Sequence, residues 1–251
     1  MVSASFEFPA LGGQEVNMSE SVHLLVISPH PADPEFGIGG TVAKWTRQGK
    51  TVVQVICTNG DKGSSDPDLK PEVLARTREK EQKAAAKLTG VKEVIFLGHP
   101  DQGLEDEPAF RKEILKLILT YRPEVVATCD PTNPPYFSNR DHRVCGRVVM
   151  DAVWPTALAP NTYRDLLGQG LKLHKVKEML IWGAAQHNCV YDITDTYEIK
   201  MKACRIHQSQ IGPQGNPDFD ARLVETASTV GKPQGYKYAE AFHWLPVLQR
   251  L

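Results

Sequence analysis

A chain of 251 residues, 41% hydrophobic and 24% charged, has the composition of an ordinary soluble globular protein with room for one large α/β domain. Basic residues (29) and acidic residues (30) nearly cancel, and no apolar run nears the ~20 residues of a membrane helix, so neither nucleic acid nor a membrane is an expected partner. Five scattered cysteines without CxxC spacing, and a start without the basic and apolar stretches of a secretion signal, favour reduced thiols and the cytoplasm.

Residues 1–21 carry little pattern and read as an N-terminal arm, with the domain running over 22–251. Residues 22–28 form a β-branched apolar run closed by Pro29, a buried strand. Residues 37–48 have helical spacing, with Ile38, Val42 and Trp45 on one face. A second buried strand over 52–57 ends in the turn-rich stretch Asn59-Gly60-Asp61-Lys62-Gly63. Residues 72–88, rich in Ala, Glu, Lys and Arg, predict a strong helix stopped by Gly90. Strand, helix and strand follow over 94–97, 110–119 and 125–128, then a helix over 142–153. Two further strands at 179–182 and 189–193 precede a helix at 199–207. The Gly-, Pro- and Asn-rich stretch 211–238 reads as a long loop packed on the domain. This alternation predicts one Rossmann-like α/β domain, a mostly parallel sheet flanked by helices.

Ligands of parallel sheets bind beyond the carboxyl ends of the strands. His30 and Asp33 sit there, three residues apart on a proline-stiffened turn after the first strand. Asn139-Arg140-Asp141-His142 follows the fourth strand and its proline-rich 131–136 loop. Each cluster alone is explained by a capped turn or a helix N-terminus. Together, two imidazoles and one carboxylate suit Zn²⁺, and three protein ligands leave a fourth position open, as in catalytic sites. Asp141 is placed to orient a ligand's ring nitrogen. Gly37, Gly39 and Gly40 make no GxGxxG, and no Walker lysine follows, which counts against nucleotides. His99 reads as a neighbour of the site, His187-Asn188 as a turn, His207 as structural, and Cys57 and Cys145 as buried apolar residues.

The chain resembles the LmbE-like (PIG-L) N-deacetylases, zinc hydrolases whose first motif is His-Pro-Asp-Asp-Glu before a Gly-rich helix start and whose late motif is Asp-His-x-x-x-Gly. Here these are His30-Pro31-Ala32-Asp33-Pro34 with Gly37, Gly39, Gly40 and Thr41, and Asp141-His142 with Gly146. Thr58-Asn59-Gly60 with Gly63, Arg78 with Glu81, and the stretch around Asp101 follow in the family order. The resemblance implies an LmbE-like fold, one Zn²⁺ per chain on His30, Asp33 and His142, and removal of an acetyl group from an N-acetylated amino sugar or a similar small molecule. It also implies that Arg78 and Asp101 hold sugar hydroxyls. Asn139 to Arg143 and the tail Tyr238-Ala239-Glu240-Ala241-Phe242-His243 look most like archaeal diacetylchitobiose deacetylases. That implies a homo-oligomer, trimer or hexamer, in which His243 stabilises the oxyanion, in its own site or a neighbour's. A deacylase of a non-sugar N-acyl compound and a non-catalytic, metal-containing sugar-binding protein stand as alternatives.

One departure matters. The family's first Asp of the pair is the general base, and Ala32 stands there; a methyl group accepts no proton. Alanine is either natural, in an inactive or repurposed member, or a deliberate replacement of aspartate; the intact surroundings favour replacement. Pro34, where the family has Glu, changes the turn more than the chemistry. Ala32→Asp is expected to raise deacetylation by ~10²–10⁴-fold with little change in metal content. A metal-loaded Ala32→Asp protein no faster than its parent would remove the base from position 32.

Overall fold

The computed structural model describes residues 21–133, 139–212 and 215–247. The expected N-terminal arm therefore lies, but for Ser21, outside the described residues, as do residues 134–136 of the proline-rich loop.

The first apolar run forms β1 (Leu24–Ser28), buried along its whole length. Its side chains alternate between two cores: Leu25 and Ile27 enter one, Leu24 and Val26 the other. Burial on both faces is why the run is apolar without alternation. β1 is flanked by β2 (Val52–Thr58) and β4 (Val125–Cys129), both parallel to it. Outside these lie β3 (Glu93–His99) and β5 (Glu178–Trp182), also parallel. The sheet of seven closes with β7 (Ala239–Pro246) antiparallel between β5 and β6 (Cys189–Asp192), in the order β3-β2-β1-β4-β5-β7-β6. The chain steps outward from β1 to β3, then returns to β4 on the other side. The crevice between the carboxyl ends of β1 and β4 is therefore the topological switch point.

On one face α1 (Asp33–Arg47) lays Ile38, Val42 and Trp45 on the sheet, with α2 (Pro71–Thr89) and α6 (Tyr197–Ile206) packed beside it. On the other face α3 (Pro108–Tyr121) and α4 (Arg140–Val153) bury Phe110, Ile114, Ile118, Val148 and Val149. The short α5 (Arg164–Gly168) adds Leu166 to this core.

The expected loop over 211–238 is corrected. After α7 (Gln208–Ile211), it contains a four-turn helix, α8 (Pro217–Gly231). Asn216 caps it, its side chain accepting from the Phe219 amide at 3.1 Å, and Pro217 opens it. Leu223 and Ala227 meet Tyr197 and Met201, while Phe219 stacks edge-on against Phe36. The stripe is thin and the flanking glycines and prolines disguise it. β7 carries the tail segment read above only as a motif.

Glu240 on β7 does structural work that no local pattern announces. Its carboxylate accepts from the Gly40 amide at 2.9 Å and the Thr41 amide at 2.7 Å on α1, and pairs with Lys200 of α6. A Cβ at Gly40 would lie 2.6 Å from Ile193, so glycine lets α1 approach this closely. Both partners are only 5% exposed. Removing one member of a buried pair leaves an uncompensated charge, costing roughly 3–5 kcal/mol. Glu240→Ala is therefore expected to lower Tm by on the order of 10 °C. Adding Lys200→Met should recover most of that loss in the same thermal melt.

Candidate metal centre

β1 delivers the chain to the switch point, and Thr58 N–H donating to the Pro29 carbonyl at 2.9 Å extends its pairing with β2 to the edge. His30 follows, and its amide donates to Asp33 Oδ2 at 3.1 Å, closing the turn. Ala32 takes a left-handed backbone conformation, φ 80°, before α1 begins. Across the crevice, Asn139 caps α4 by accepting from the Asp141 amide at 2.9 Å, which sets His142 in the first turn.

These two turns bring three donor atoms together. His30 Nδ1 lies 3.2 Å from Asp33 Oδ2 and 3.2 Å from His142 Nε2, and His142 Nε2 lies 3.3 Å from Asp33 Oδ2. Ligand bonds of about 2.0–2.1 Å in a tetrahedral set place ligand atoms roughly 3.3 Å apart. The near-equilateral triangle of two imidazole nitrogens and a carboxylate oxygen thus fits a small divalent ion. His30 and His142 are buried at 6% and 5% exposure, and the triangle faces the cavity.

The far side of the His30 ring is held as well. Nε2 donates to Asp141 Oδ2 at 3.1 Å and approaches Asp101 Oδ1 at 3.2 Å. Protonation at Nε2 leaves the lone pair on Nδ1, towards the triangle. Asp141 is wholly buried and accepts in turn from the backbone amides of Gln102, at 2.6 Å, and Leu104, at 3.1 Å. Asp141 thus holds the ring of His30 across the crevice.

Electrostatics show what the cluster wants. Burial opposes the charged form of His30, yet Asp101, Asp141 and Asp33 outweigh it and push the imidazolium up to about 11. His142 is raised to about 10, again against burial, chiefly by Asp33. Asp33 is held below the usual carboxylate range by the two histidines, although its burial works the other way. The surrounding carboxylates thus favour the charged form of both imidazoles.

Arg78 and Asp101 both line the cavity, about 280 Å³ in volume, beside the triangle. Arg78, 4% exposed, donates to the carbonyls of Pro31 and Gly60 at 2.9 Å each and so ties the metal turn to the loop after β2. A Cβ on Gly60 would lie 2.4 Å from its guanidinium, and φ there is +65°. That glycine was the sequence signal for a large side chain passing close. His243 is not among the lining residues; its Nδ1 bonds the Gln186 carbonyl at 3.1 Å. His99 pairs with Glu113 at 2.7 Å, away from the cavity. Asn139 of the second cluster also lines it, together with Phe36, Lys62, Gln102 and Gln210, for which the sequence suggested no role. Phe36 and Gln102 lie beside Asp33 and Asp101 in the chain, whereas Lys62 and Gln210 are brought in by the fold.

The fold is a Rossmann-like α/β sheet, and its switch point carries a cluster of His and Asp side chains that could hold a metal ion. The chain belongs to the PIG-L family, whose model, described as GlcNAc-PI de-N-acetylase, matches residues 25–153. It is 34% identical over 223 residues to the diacetylchitobiose deacetylase of Thermococcus kodakarensis, covering 89% of this chain and 83% of that protein. It is 29% identical to the 1D-myo-inositol 2-acetamido-2-deoxy-alpha-D-glucopyranoside deacetylase of Mycobacterium sp. strain KMS, covering 82% and 80%. The structure of N,N'-diacetylchitobiose deacetylase from Pyrococcus horikoshii superposes with a TM-score of 0.85 at 30% identity, covering 96% of this chain and 88% of that one.

The pH dependence follows from the signs. Raised imidazole values mean that charging His30 and His142 stabilises the metal-free fold fully below about pH 6.5, a contribution lost as pH rises through about 10 to 11. The depressed Asp33 adds stability above about pH 4 that is lost in acid. A metal must displace the two imidazole protons. Calorimetric titration with Zn²⁺ at pH 7, in buffers of different ionisation enthalpy, should show release approaching two protons and affinity rising with pH. Release of none would mean that these imidazoles are not the ligands.

Proposed function

We propose that this chain is a zinc-dependent N-deacetylase fold acting on an N-acetylated amino sugar, with His30, Asp33 and His142 as the ligands of one Zn²⁺ per chain. The observation that carries this reading is the triangle of donor atoms, 3.2–3.3 Å on each side, in a family whose relatives are named as sugar N-deacetylases. When bound, the metal would polarise an amide carbonyl and activate water for its hydrolysis.

The protein's own groups have separable duties. Asp141 fixes the His30 tautomer and Asp33 supplies the anionic ligand, while Asn139 sets the first turn of α4. Arg78 and Asp101 form the wall on which sugar hydroxyls would rest. In this reading His243, which bonds the Gln186 carbonyl, serves a neighbouring subunit's site in a trimer or hexamer. Five free cysteines support a reducing, cytoplasmic setting. Among the described residues no helix is long and apolar enough to cross a membrane.

Ala32 limits the chemistry. A left-handed backbone costs an alanine about 1–2 kcal/mol, whereas aspartate and asparagine adopt it more readily. The φ of 80° thus supports the view that alanine has replaced an aspartate here. The same residue favours a second reading, a metal-containing sugar-binding protein that does not turn over.

Acetate release from N,N'-diacetylchitobiose and from a non-sugar N-acetylamine, by the zinc-loaded protein and its Ala32→Asp variant, separates the readings. The proposal expects activity on the sugar in the variant, at least tenfold less on the other amide, and abolition by chelator with recovery on Zn²⁺ addition. Tight sugar binding with no acetate from either protein would favour the non-catalytic reading.

A further inference from the structure

We infer that Gln82, backed by Glu35, is a positioning residue that holds residue 32 in its left-handed conformation and thereby shapes the metal turn. The inference rests on the metal-centre reading above. The Ala32 amide lies inside the protein, and its N–H donates to Gln82 Oε1 at 2.8 Å. Gln82 comes from the middle of α2, 50 residues away, so nothing local supplies this acceptor.

The Gln82 side chain is itself fixed at its other end. Its amide nitrogen lies 3.1 Å from each Glu35 oxygen and 3.0 Å from Gln54 Oε1. Gln54 Nε2 donates to Glu35 Oε1 at 3.2 Å, and His207 Nε2 meets Glu35 Oε2 at 3.0 Å. All four side chains are at most 1% exposed. The carboxylate and the Gln54 oxygen oblige Gln82 to present its nitrogen inward, and that settles which end faces Ala32. The amide cannot flip without setting its oxygen against Glu35. The orientation of one α2 side chain is thus dictated from α1, β2 and the α6–α7 junction together.

The consequence falls on the metal ligands. Residue 32 is the hinge between His30 and Asp33, and its carbonyl also accepts from the Phe36 amide at 3.1 Å, starting α1. Without the Gln82 acceptor, an alanine has no reason to stay at φ 80°, and rotation there would swing Asp33 away from the histidines. Glycine adopts this conformation without steric penalty. The role of Gln82 should therefore be large with alanine at position 32 and small with glycine.

The test is a double-mutant cycle on the full-length protein, read by the Kd for Zn²⁺ and by Tm. Gln82→Met is expected to weaken zinc binding roughly tenfold or more. In the Ala32→Gly background the same change should cost less than about threefold. Equal losses in both backgrounds would mean that Gln82 is core packing and would overturn the inference, with the metal centre untouched. If the unmodified protein binds no zinc, the metal reading fails and takes this inference with it. Amide exchange of the unmodified protein gives a check that needs no variant. The Ala32 amide should be protected like those of β1; exchange at the rate of an open loop would overturn the proposal even if Gln82→Met does not fold.

Discussion

The ring of His30 is where the structure is decided. One nitrogen faces a carboxylate and a second imidazole, and the other is gripped by two more carboxylates. Three acidic side chains within reach of one buried histidine would repel each other apart unless positive charge sat among them. That requirement fixes the chemistry of the edge. The carboxylates raise the proton affinity of both imidazoles, and three donors about 3.2 Å apart have the spacing of one face of a tetrahedral ligand set.

Such a concentration of charge needs a rigid frame, and the parallel sheet supplies it. β1 and β4 are buried on both faces, so their ends cannot drift, and the switch in strand order leaves a crevice between them. His30 and Asp33 come from the end of β1, His142 from the helix after β4, and Asp101 from the loop after β3. Backbone amides of Gln102 and Leu104 satisfy the wholly buried Asp141, which is how a carboxylate persists there without water.

A second polar layer lies beneath the first. Glu35, Gln54, Gln82 and His207 are all buried and bonded to one another, and through Gln82 they reach the amide of residue 32. Buried networks of this kind hold one geometry against the alternatives, since any partial arrangement leaves a desolvated polar atom. Glu240 and Lys200 play the same part farther out, joining β7 and α6 to α1. Ala32 therefore sits in a turn braced from beneath by a side chain of α2.

The sequence by itself determined the alternation of strands and helices and the strand-end positions of His30, Asp33 and His142. These are local quantities: apolar periodicity, proline-stiffened turns and residue identity at short spacing. It also carried the signal for Arg78, in the paired glycines of the loop that the guanidinium crosses. It missed α8, whose apolar stripe is thin between Gly- and Pro-rich flanks, and the place of β7, which enters the sheet out of chain order. Only the tertiary structure decided that Asp141 serves His30 across 111 residues, that Gln82 holds residue 32, and that Glu240 braces α1. The physical reason is common to all three. Each is a polar side chain whose partner is chosen by burial and by strand order, neither of which is written within reach of the residue itself.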